Sequence, residues 1–248
     1  MNKNKTNKEW FKSFFKKDFY NFDFIPKKRT QEEVSFIIKS SGIKKGFKIL
    51  DIPCGAARHS LELAKKGFDV TAVDYSKEYL EDAVKKAKKT GLKNITFVKK
   101  DMRKIDFKEE FDLAINMFTS FGYFDDKDNY LFLKKIYKSL KKGGVFIIDI
   151  KNGVFRKNNL SEKNWDIIGD AIELQEFVWL NKTTLKNIWH KIENGEMKTR
   201  VFYLKVYDKK SLNKILKKAG FKVKKIYGDF DFSLLKKNSK RIIAVCKK

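Results

Sequence analysis

Three aspartates in the first half of the chain each stand at the end of a short apolar segment. Asp51 follows "KIL", Asp74 follows "VTAV" and Asp101 follows "ITFVKK". If these segments are parallel strands, the carboxylates lie at the sheet edge where ligands of open α/β folds bind. Carboxylates there accept hydrogen bonds from ribose hydroxyls, so the pattern predicts a site for a nucleotide-like ligand.

The second and third aspartates suit different parts of such a ligand. Asp74 stands 19 residues after Gly55, the spacing expected of an acid that holds both ribose hydroxyls. Helix capping is the alternative role, because Ser76 and a helical pattern follow. Asp101 precedes Met102, and a carboxylate beside an apolar side chain suits the edge of an adenine. Asp101 alone is equally consistent with a loop residue, so this prediction depends on its place after a strand.

The turn "PCGAAR" after the first strand leads into a helix, whose free backbone amides suit anionic or polar groups of a ligand. A dinucleotide site requires G-x-G-x-x-G. The register here reads Gly55, Ala57 and Ser60, which supplies one glycine of three and argues against a dinucleotide.

The elements that position these residues follow from alternating apolar runs and helical patterns. Strands are predicted at 48–52, 69–74, 95–101, 111–118 and 145–150. Helices are predicted at 58–66, 76–90 and 127–141. Before them, an amphipathic N-terminal helix carries Trp10, Phe14 and Phe15 and stops at Pro26. A helix over 30–41 follows, with Thr30 and Glu33 as a capping box. The alternation predicts an α/β, doubly wound Rossmann-like sheet.

A different pattern begins after residue 150. Residues 165–207 contain short alternating segments, and Asn181–Lys182 and Asn194–Gly195 supply turns, which predicts an antiparallel β insertion. A helix at 209–219 and strands near 221–227 and 241–247 then complete the main fold.

The net charge of +26 raises the possibility of a nucleic-acid partner. The positive residues comprise 51 Lys and only six Arg, spread along the chain, which favours a solvated lysine-rich surface over a dedicated phosphate-binding face. Cys54 and Cys246 have neither metal nor redox spacing, so a cytoplasmic setting and no metal are expected. No apolar run is long enough to span a membrane.

Several segments in order resemble the class I S-adenosylmethionine-dependent methyltransferases: "ILDIPCGAARHSLELA", "VD" at 73–74, "DM" at 101–102, "FDLAINMFTSFGYF" and "LKKGGVFIIDI". The likeness covers residues 29–151, and "AGFKVKKIYGDF" with "SKRIIAVCKK" resembles the family's last two strands. The resemblance implies a seven-stranded sheet with the last strand antiparallel. It also implies an enzyme that uses S-adenosylmethionine and leaves S-adenosylhomocysteine.

The resemblance assigns cofactor-binding roles to matching positions. The first-strand tip and its turn would pass under the methionine part of the cofactor; these are Asp51, Pro53, Cys54, Gly55 and Ala57. The remaining positions would hold the ribose (Asp74), the adenine (Tyr75, Asp101, Met102) and the methyl-donor side (Asn116, Met117, Phe118). Pro53 and Ala57 replace the family's usual glycines, and the Ala57 methyl is expected to crowd the turn. Arg29, Arg58 and His59 are candidates for the cofactor's carboxylate, and Tyr20 and Phe19 for closing over it.

Three parts of the chain are predicted: an N-terminal helical lid segment (1–28), a cofactor-binding domain (29–151 and 208–248) and an insertion on the substrate side (152–207). The expected acceptor is an amine or hydroxyl of a small molecule or peptide. "NMFTS" lacks the Asn/Asp-Pro-Pro-aromatic motif of enzymes that methylate adenine or glutamine amides. An RNA methyltransferase, a nicotinamide oxidoreductase and a non-catalytic cofactor-binding protein remain alternatives. No catalytic residue is assigned.

Overall fold

The protein is built on a seven-stranded mixed sheet with a four-stranded antiparallel sheet beside it. The structure, a computed structural model, describes residues 9–20, 22 and 24–248. The strands of the large sheet are β1 Lys48–Asp51, β2 Asp69–Asp74, β3 Ile95–Lys99, β4 Phe111–Asn116, β5 Leu140–Lys151, β10 Lys222–Tyr227 and β11 Arg241–Lys247. Their order in the sheet is β3–β2–β1–β4–β5–β11–β10, and β11 is antiparallel to both of its neighbours.

Helices connect these strands, and the small sheet interrupts them after β5. The helices are α1 Phe11–Phe14, α2 Lys27–Ser41, α3 Arg58–Lys65, α4 Lys77–Lys89, α5 Asp126–Ser139, α6 Gly153–Asn159 and α7 Lys209–Ala219. The small sheet consists of β6 Lys163–Ile168, β7 Ala171–Asn181, β8 Thr184–Glu193 and β9 Glu196–Lys205, paired in chain order.

Alternate residues of the central strands enter two separate cores, as the period of a strand requires. Leu50, Ala114 and Ile148 pack on one face with side chains of α5 and α7. Their neighbours Ile49 and Ile115 pack on the other face with side chains of α2 and α3. The sheet is therefore covered on both faces, and this explains why its strands read as continuous apolar runs. The predicted fold class is confirmed.

The predicted start of α2 is wrong. The helix begins at Lys27, directly after Pro26, and the N–H of Thr30 already bonds to the carbonyl of Pro26. Glu33 does not reach back to Thr30, because its buried carboxylate faces Arg58 instead. Gly42 ends the helix in the left-handed conformation, as expected.

Two further boundaries differ from the prediction around the end of the main sheet. Strand β5 begins at Leu140, where the helical pattern was extended to 141, and its register against β4 shifts before Val145. The short helix α6 was not predicted. Asn152 caps it by accepting the Val154 N–H at 3.0 Å. The other strand and helix boundaries agree within about two residues, in line with usual assignment differences.

The antiparallel insertion is confirmed, and Asn194 and Gly195 both have positive φ at its tight turn. The predicted N-terminal helix is a single turn, Phe11–Phe14, within a longer aromatic segment. Residues 1–8, 21 and 23 of the predicted lid segment lie outside the described residues. Among the helices the structure describes, none is long and apolar enough to cross a membrane.

Candidate active site

A cavity of about 440 Å³ lies at the carboxyl ends of β1, β2 and β4, between the turn after β1 and the small sheet. Thirteen of the seventeen residues predicted to contact the cofactor line it: Tyr20, Arg29, Pro53, Cys54, Gly55, Arg58, His59, Asp74, Tyr75, Asp101, Met102, Met117 and Phe118. The other four, Phe19, Asp51, Ala57 and Asn116, do not line it. The expectation that Asp74 and Asp101 share one cavity is met.

Asp74 joins the tip of β2 to the turn after β1. One carboxylate oxygen accepts the backbone N–H of Gly55 at 2.7 Å, and the other accepts the N–H of Ser76 at 2.8 Å. Helix α4 is capped by Ser76, so Asp74 is not itself the capping residue. Burial raises the pKa of Asp74 to about 6, although the two N–H groups oppose that rise. A buried carboxylate with no cation beside it is suited to hydroxyl donors.

The turn itself brings backbone close to the cavity at Gly55. A Cβ at this position would lie 2.8 Å from Cζ of Phe22, so the Phe22 ring rests directly on the glycine. Ala57 has a φ of 57°, the left-handed conformation that favours glycine. Its methyl group is fully buried beside Ala72 and Leu80 and does not crowd the cavity, contrary to expectation.

The predicted adenine end is organised by an arginine that sequence reasoning missed. Arg103 donates to both oxygens of Asp101, with Nη2 to Oδ2 at 2.7 Å. Burial alone would raise the pKa of Asp101, but the bonds and charge of Arg103 outweigh it and lower the pKa. The Arg103 guanidinium also lies 4.4 Å from the centre of the Phe124 ring. Met102 is buried and Tyr75 is partly exposed against Phe11.

Arg29 and Arg58 both lie close to the ring of Phe118 on another side of the cavity. The guanidinium groups of Arg29 and Arg58 lie 5.5 and 5.3 Å from the ring centre of Phe118. Both pair with Glu33, which is 1% exposed and also lies 2.8 Å from the ring of His59. Burial would raise the pKa of Glu33, yet the His59 hydrogen bond and the charges of His59 and Arg58 lower it well below its ordinary value.

One nitrogen in that group has no partner among the described residues: Nη2 of Arg58 is buried and makes no hydrogen bond. Nη1 of the same guanidinium donates to Thr30 at 3.0 Å. A buried donor without a partner is costly, so Arg58 is suited to receive an anionic group of a ligand.

Two predicted site residues, Asp51 and Asn116, do not line the cavity but hold the turn after β1 in place through hydrogen bonds. Asp51 is 1% exposed and accepts the hydroxyl of Ser60, and burial raises its pKa. Asn116 is fully buried and donates to the carbonyl of Ile52 at 2.8 Å. They join β1 to α3 and to β4, which are structural roles.

The N-terminal segment lines the cavity and contacts the loop after β4 and the small sheet. Trp10 packs edge-on against Tyr123, with ring centres 5.1 Å apart, and against Phe202 at 5.3 Å. Tyr20 is buried in the same cluster, and its carbonyl accepts the hydroxyl of Tyr79 at 2.6 Å. Phe19 is buried but does not line the cavity.

The small sheet turns one face toward the cavity. Its cavity-lining residues alternate along the strands: Asp166 and Ile168 on β6, Glu173, Gln175 and Phe177 on β7, Asn187 and Trp189 on β8, and Phe202 and Leu204 on β9. Among the described residues, Oδ1 of Asn187 and Nε1 of Trp189 are buried without a hydrogen-bond partner. His190, which follows Trp189 in the strand, does not line the cavity, and its Nδ1 lies 2.8 Å from Oγ1 of Thr199.

Most residues missed by the sequence analysis follow from two signals. Alternation along β7 and β8 would have identified Glu173, Gln175, Asn187 and Trp189 as one face. The scarcity of arginine is the second signal: four of the six, Arg29, Arg58, Arg156 and Arg241, line the cavity. In the part of the chain described here, no cluster of His, Cys, Asp and Glu could hold a metal ion.

Known proteins resemble this chain in sequence and in fold. A methyltransferase-domain family model matches residues 49–144. The chain is 28% identical over 204 residues to the putative methyltransferase YqeM of Bacillus subtilis, covering 78% of this chain and 80% of that protein. It is 26% identical over 215 residues to a glycine/sarcosine N-methyltransferase of Aphanothece halophytica, covering 82% and 76%. An S-adenosylmethionine-dependent methyltransferase structure from Clostridium acetobutylicum superimposes with a TM-score of 0.79 at 21% identity, covering 88% and 91%.

The cavity fits the cofactor of this family. The unpartnered Nη2 of Arg58 suits a carboxylate, and the Asp74 carboxylate suits ribose hydroxyls. Met102 and Tyr75 supply apolar surface for an adenine near Asp101. The matched methyltransferase domain begins in β1 and includes the turn, Asp74 and Asp101. Residues 49–144 therefore match a methyltransferase domain, and the sequence and fold comparisons support an S-adenosylmethionine-dependent methyltransferase.

Proposed function

We propose that this enzyme methylates an amine of a small molecule held between the cofactor turn and the inward face of the small sheet. The observation that carries the proposal is Glu173. It is 9% exposed, lines the cavity, and forms no salt bridge among the described residues, although Lys191 lies opposite it on β8. A buried carboxylate beside aromatic rings is a suitable partner for an ammonium group. The glycine/sarcosine N-methyltransferase relative, named for amine acceptors, supports the same class.

The three predicted parts of the chain then have distinct roles. Residues 29–151 and 208–248 would hold the cofactor, through Asp74 for the ribose and Arg58 with Arg29 for the carboxylate. Residues 152–207 would form the acceptor side, and residues 1–28 the cover. Enclosure of the cavity by Phe11, Phe14 and Tyr20 supports an acceptor small enough to be surrounded, because closing a site excludes water.

S-adenosylmethionine supplies an electrophilic methyl group when bound. The residues of the chain hold the acceptor in place and accept the proton that its nitrogen must lose. An ammonium acceptor must give up one proton before its nitrogen lone pair can attack, and Glu173 is the carboxylate placed to take it. Burial raises the pKa of Glu173, which makes it a better proton acceptor. Trp189 and Asn187, with their unpartnered buried atoms, would orient polar groups of the acceptor.

The other acceptor classes have less support. A hydroxyl would need a stronger base than a carboxylate to become nucleophilic. An RNA base would have to enter beneath the N-terminal segment. Because the net charge of +26 favours binding to phosphate backbones, RNA is included among the acceptors tested. A peptide amine would have to present a side chain or terminus through the same opening.

Labelled-methyl transfer tests the proposal, with fractions of small amines, small alcohols, peptides and RNA as acceptors. We expect label in the small-amine fraction. Glu173→Gln should lower kcat at least tenfold while leaving S-adenosylhomocysteine affinity unchanged. Glu176→Gln, on the same strand but facing away from the cavity, is the matched control. Label only in RNA would contradict the proposal. Tight cofactor binding with no label in any fraction would indicate a non-catalytic protein.

A further inference from the structure

Three cations meet where the main cavity adjoins a second, smaller one of about 270 Å³. Lys151 ends β5, Arg156 lies in α6 and Arg241 begins β11, and all three line both cavities. The second cavity is otherwise lined by Phe155, Asn159, Leu160 and Lys240. The cations therefore form the boundary between the two spaces.

One of the three is neutralised within the fold. Arg241 donates to both oxygens of Asp149, at 2.8 and 2.9 Å. Asp149 is 1% exposed and also accepts the N–H of Phe118 at 3.0 Å, so its carboxylate is fully used.

The other two cations have no such partner. Arg156 is 8% exposed, and across residues 9–20, 22 and 24–248 its guanidinium makes no hydrogen bond or ion pair. Its guanidinium lies 5.7 Å from the centre of the Phe177 ring. Lys151 likewise has no ion pair in that part of the chain, and its exposed surface faces the two cavities.

Leaving the buried charge of Arg156 unpaired is energetically unfavourable, whereas Lys151 is exposed to the cavities. Burial lowers the pKa of Arg156 to about 10. Burial, and then the charges of Arg156 and Arg241, lowers the pKa of Lys151 to about 8. The charge of Asp149 opposes the shift of Lys151 only in part, so a bound anion would stabilise both cations.

The position of Arg156 is fixed by close backbone packing. The N–H of Gly153, at the start of α6, donates to the carbonyl of Tyr207 at 2.9 Å. A Cβ on Gly153 would lie 2.7 Å from that oxygen, so only glycine allows the helix to approach so closely. A helix held in this way presents Arg156 in a prepared orientation.

We propose that Arg156 and Lys151 bind a carboxylate or phosphate group of the methyl acceptor, whose apolar body extends over Phe155 and Phe177. This inference rests on the proposed function, since it takes the cavity as the acceptor's. The substrate class becomes an amine that also carries an anionic group. Arg29 and Arg58, paired with Glu33 beside the cofactor turn, would serve the cofactor's carboxylate instead.

Binding of simple aromatic probes tests the inference without any methyl transfer. Protein saturated with S-adenosylhomocysteine is titrated at constant ionic strength with benzoate, benzamide and phenyl phosphate. Benzoate or phenyl phosphate should bind, and the tighter of the two distinguishes carboxylate from phosphate. Benzamide, which has the same shape without the charge, should bind at least tenfold more weakly.

Variants assign the binding to these residues. Arg156→Gln should lower the affinity for the anion at least tenfold. Lys151→Gln should lower it severalfold, and this variant tests the inference even if Arg156→Gln folds poorly. Lys157→Gln is the control, because it removes an exposed charge from the same helix outside both cavities. Equal binding of benzoate and benzamide, or unchanged anion binding in both variants, would overturn the inference. So would an equal loss of S-adenosylhomocysteine affinity, which would place the cations in the cofactor site. Failure of labelled-methyl transfer with anion binding intact would instead count against the proposed function.

Discussion

The carboxylate of Asp74 accepts the backbone N–H of Gly55 at 2.7 Å, across 19 positions of sequence. This bond ties the tip of β2 to the turn after β1 and places an acid in a cavity wall. The second oxygen is held by Ser76, so the carboxylate has a fixed orientation. A prepared acceptor of this kind binds hydroxyl donors with little loss of side-chain freedom.

Cofactor affinity should depend on pH through this group. The pKa of Asp74 in the folded protein is about 6, above its ordinary 3.8. Ribose hydroxyls donate to the ionised form, so S-adenosylhomocysteine should bind about tenfold more weakly at pH 5 than at pH 7. Calorimetry at pH 6 in two buffers of different ionisation enthalpy should show proton release on binding. Affinity that is flat between pH 5 and 7 would show that Asp74 is not the acceptor.

The raised pKa of Asp74 affects the stability of the unliganded protein in the opposite direction: cofactor affinity should rise with pH, whereas folding stability should fall. Between pH 4 and 6 the folded state holds a proton on Asp74 that the unfolded state has lost, so its contribution to stability falls as pH rises. Asp74→Asn should therefore lose less stability at pH 7 than at pH 4, relative to wild type, in denaturant unfolding.

Glu33 should contribute stability that disappears in acid. Its pKa is lowered in the fold, so the contribution is present above pH 4.5 and is lost as pH falls toward the folded pKa. Glu33→Gln should cost about 3 kcal/mol at pH 7, because it breaks a buried ion pair and leaves Arg58 without its partner. Glu32→Gln, at the exposed neighbouring position, is the control and should change little. A similar cost for both variants would contradict the role of the buried pair.

The N-terminal segment should detach when its central ring is removed. Trp10 is 3% exposed and contacts rings of both the main domain and the insertion. Trp10→Ala should make this segment sensitive to limited proteolysis while the two sheets stay resistant. Trp165→Ala, at a side chain that is 70% exposed, should give the wild-type pattern. Protection of the segment in Trp10→Ala would show that other contacts hold it.

Substitution by glycine should cost less folding stability at Ala57 than at a neighbouring buried alanine. Its left-handed φ of 57° costs an alanine roughly 1 kcal/mol, which offsets the loss of a buried methyl group. Ala57→Gly should stay within about 1 kcal/mol of wild type. Ala72→Gly, in the same cluster at an ordinary strand position, should cost clearly more in urea unfolding. S-adenosylhomocysteine affinity should change less than threefold in Ala57→Gly.

The sequence predicts the strands and their acidic tips because buried parallel strands are continuous apolar runs and their ends converge. That topology alone predicts that Asp74 and Asp101 lie at the same edge of the sheet. Glu33 was misread because a capping box is a local pattern, whereas its partners Arg58 and His59 lie on another helix. The contact of Phe22 with Gly55 and the proximity of Arg156 to Phe177 depend on how the N-terminal segment and the insertion pack in three dimensions, which local patterns do not encode.

The measurement that tests the central claim most directly is calorimetric titration of S-adenosylhomocysteine into wild type, Asp74→Asn and Asp69→Asn. Asp69 is an exposed aspartate at the opposite end of the same strand, so it controls for charge and for strand stability. We predict wild-type affinity for Asp69→Asn and at least a tenfold loss for Asp74→Asn, since charged hydrogen bonds contribute about 1.5 to 3 kcal/mol each. Wild-type affinity in folded Asp74→Asn, or equal losses in both variants, would contradict the assignment of this cavity to the cofactor.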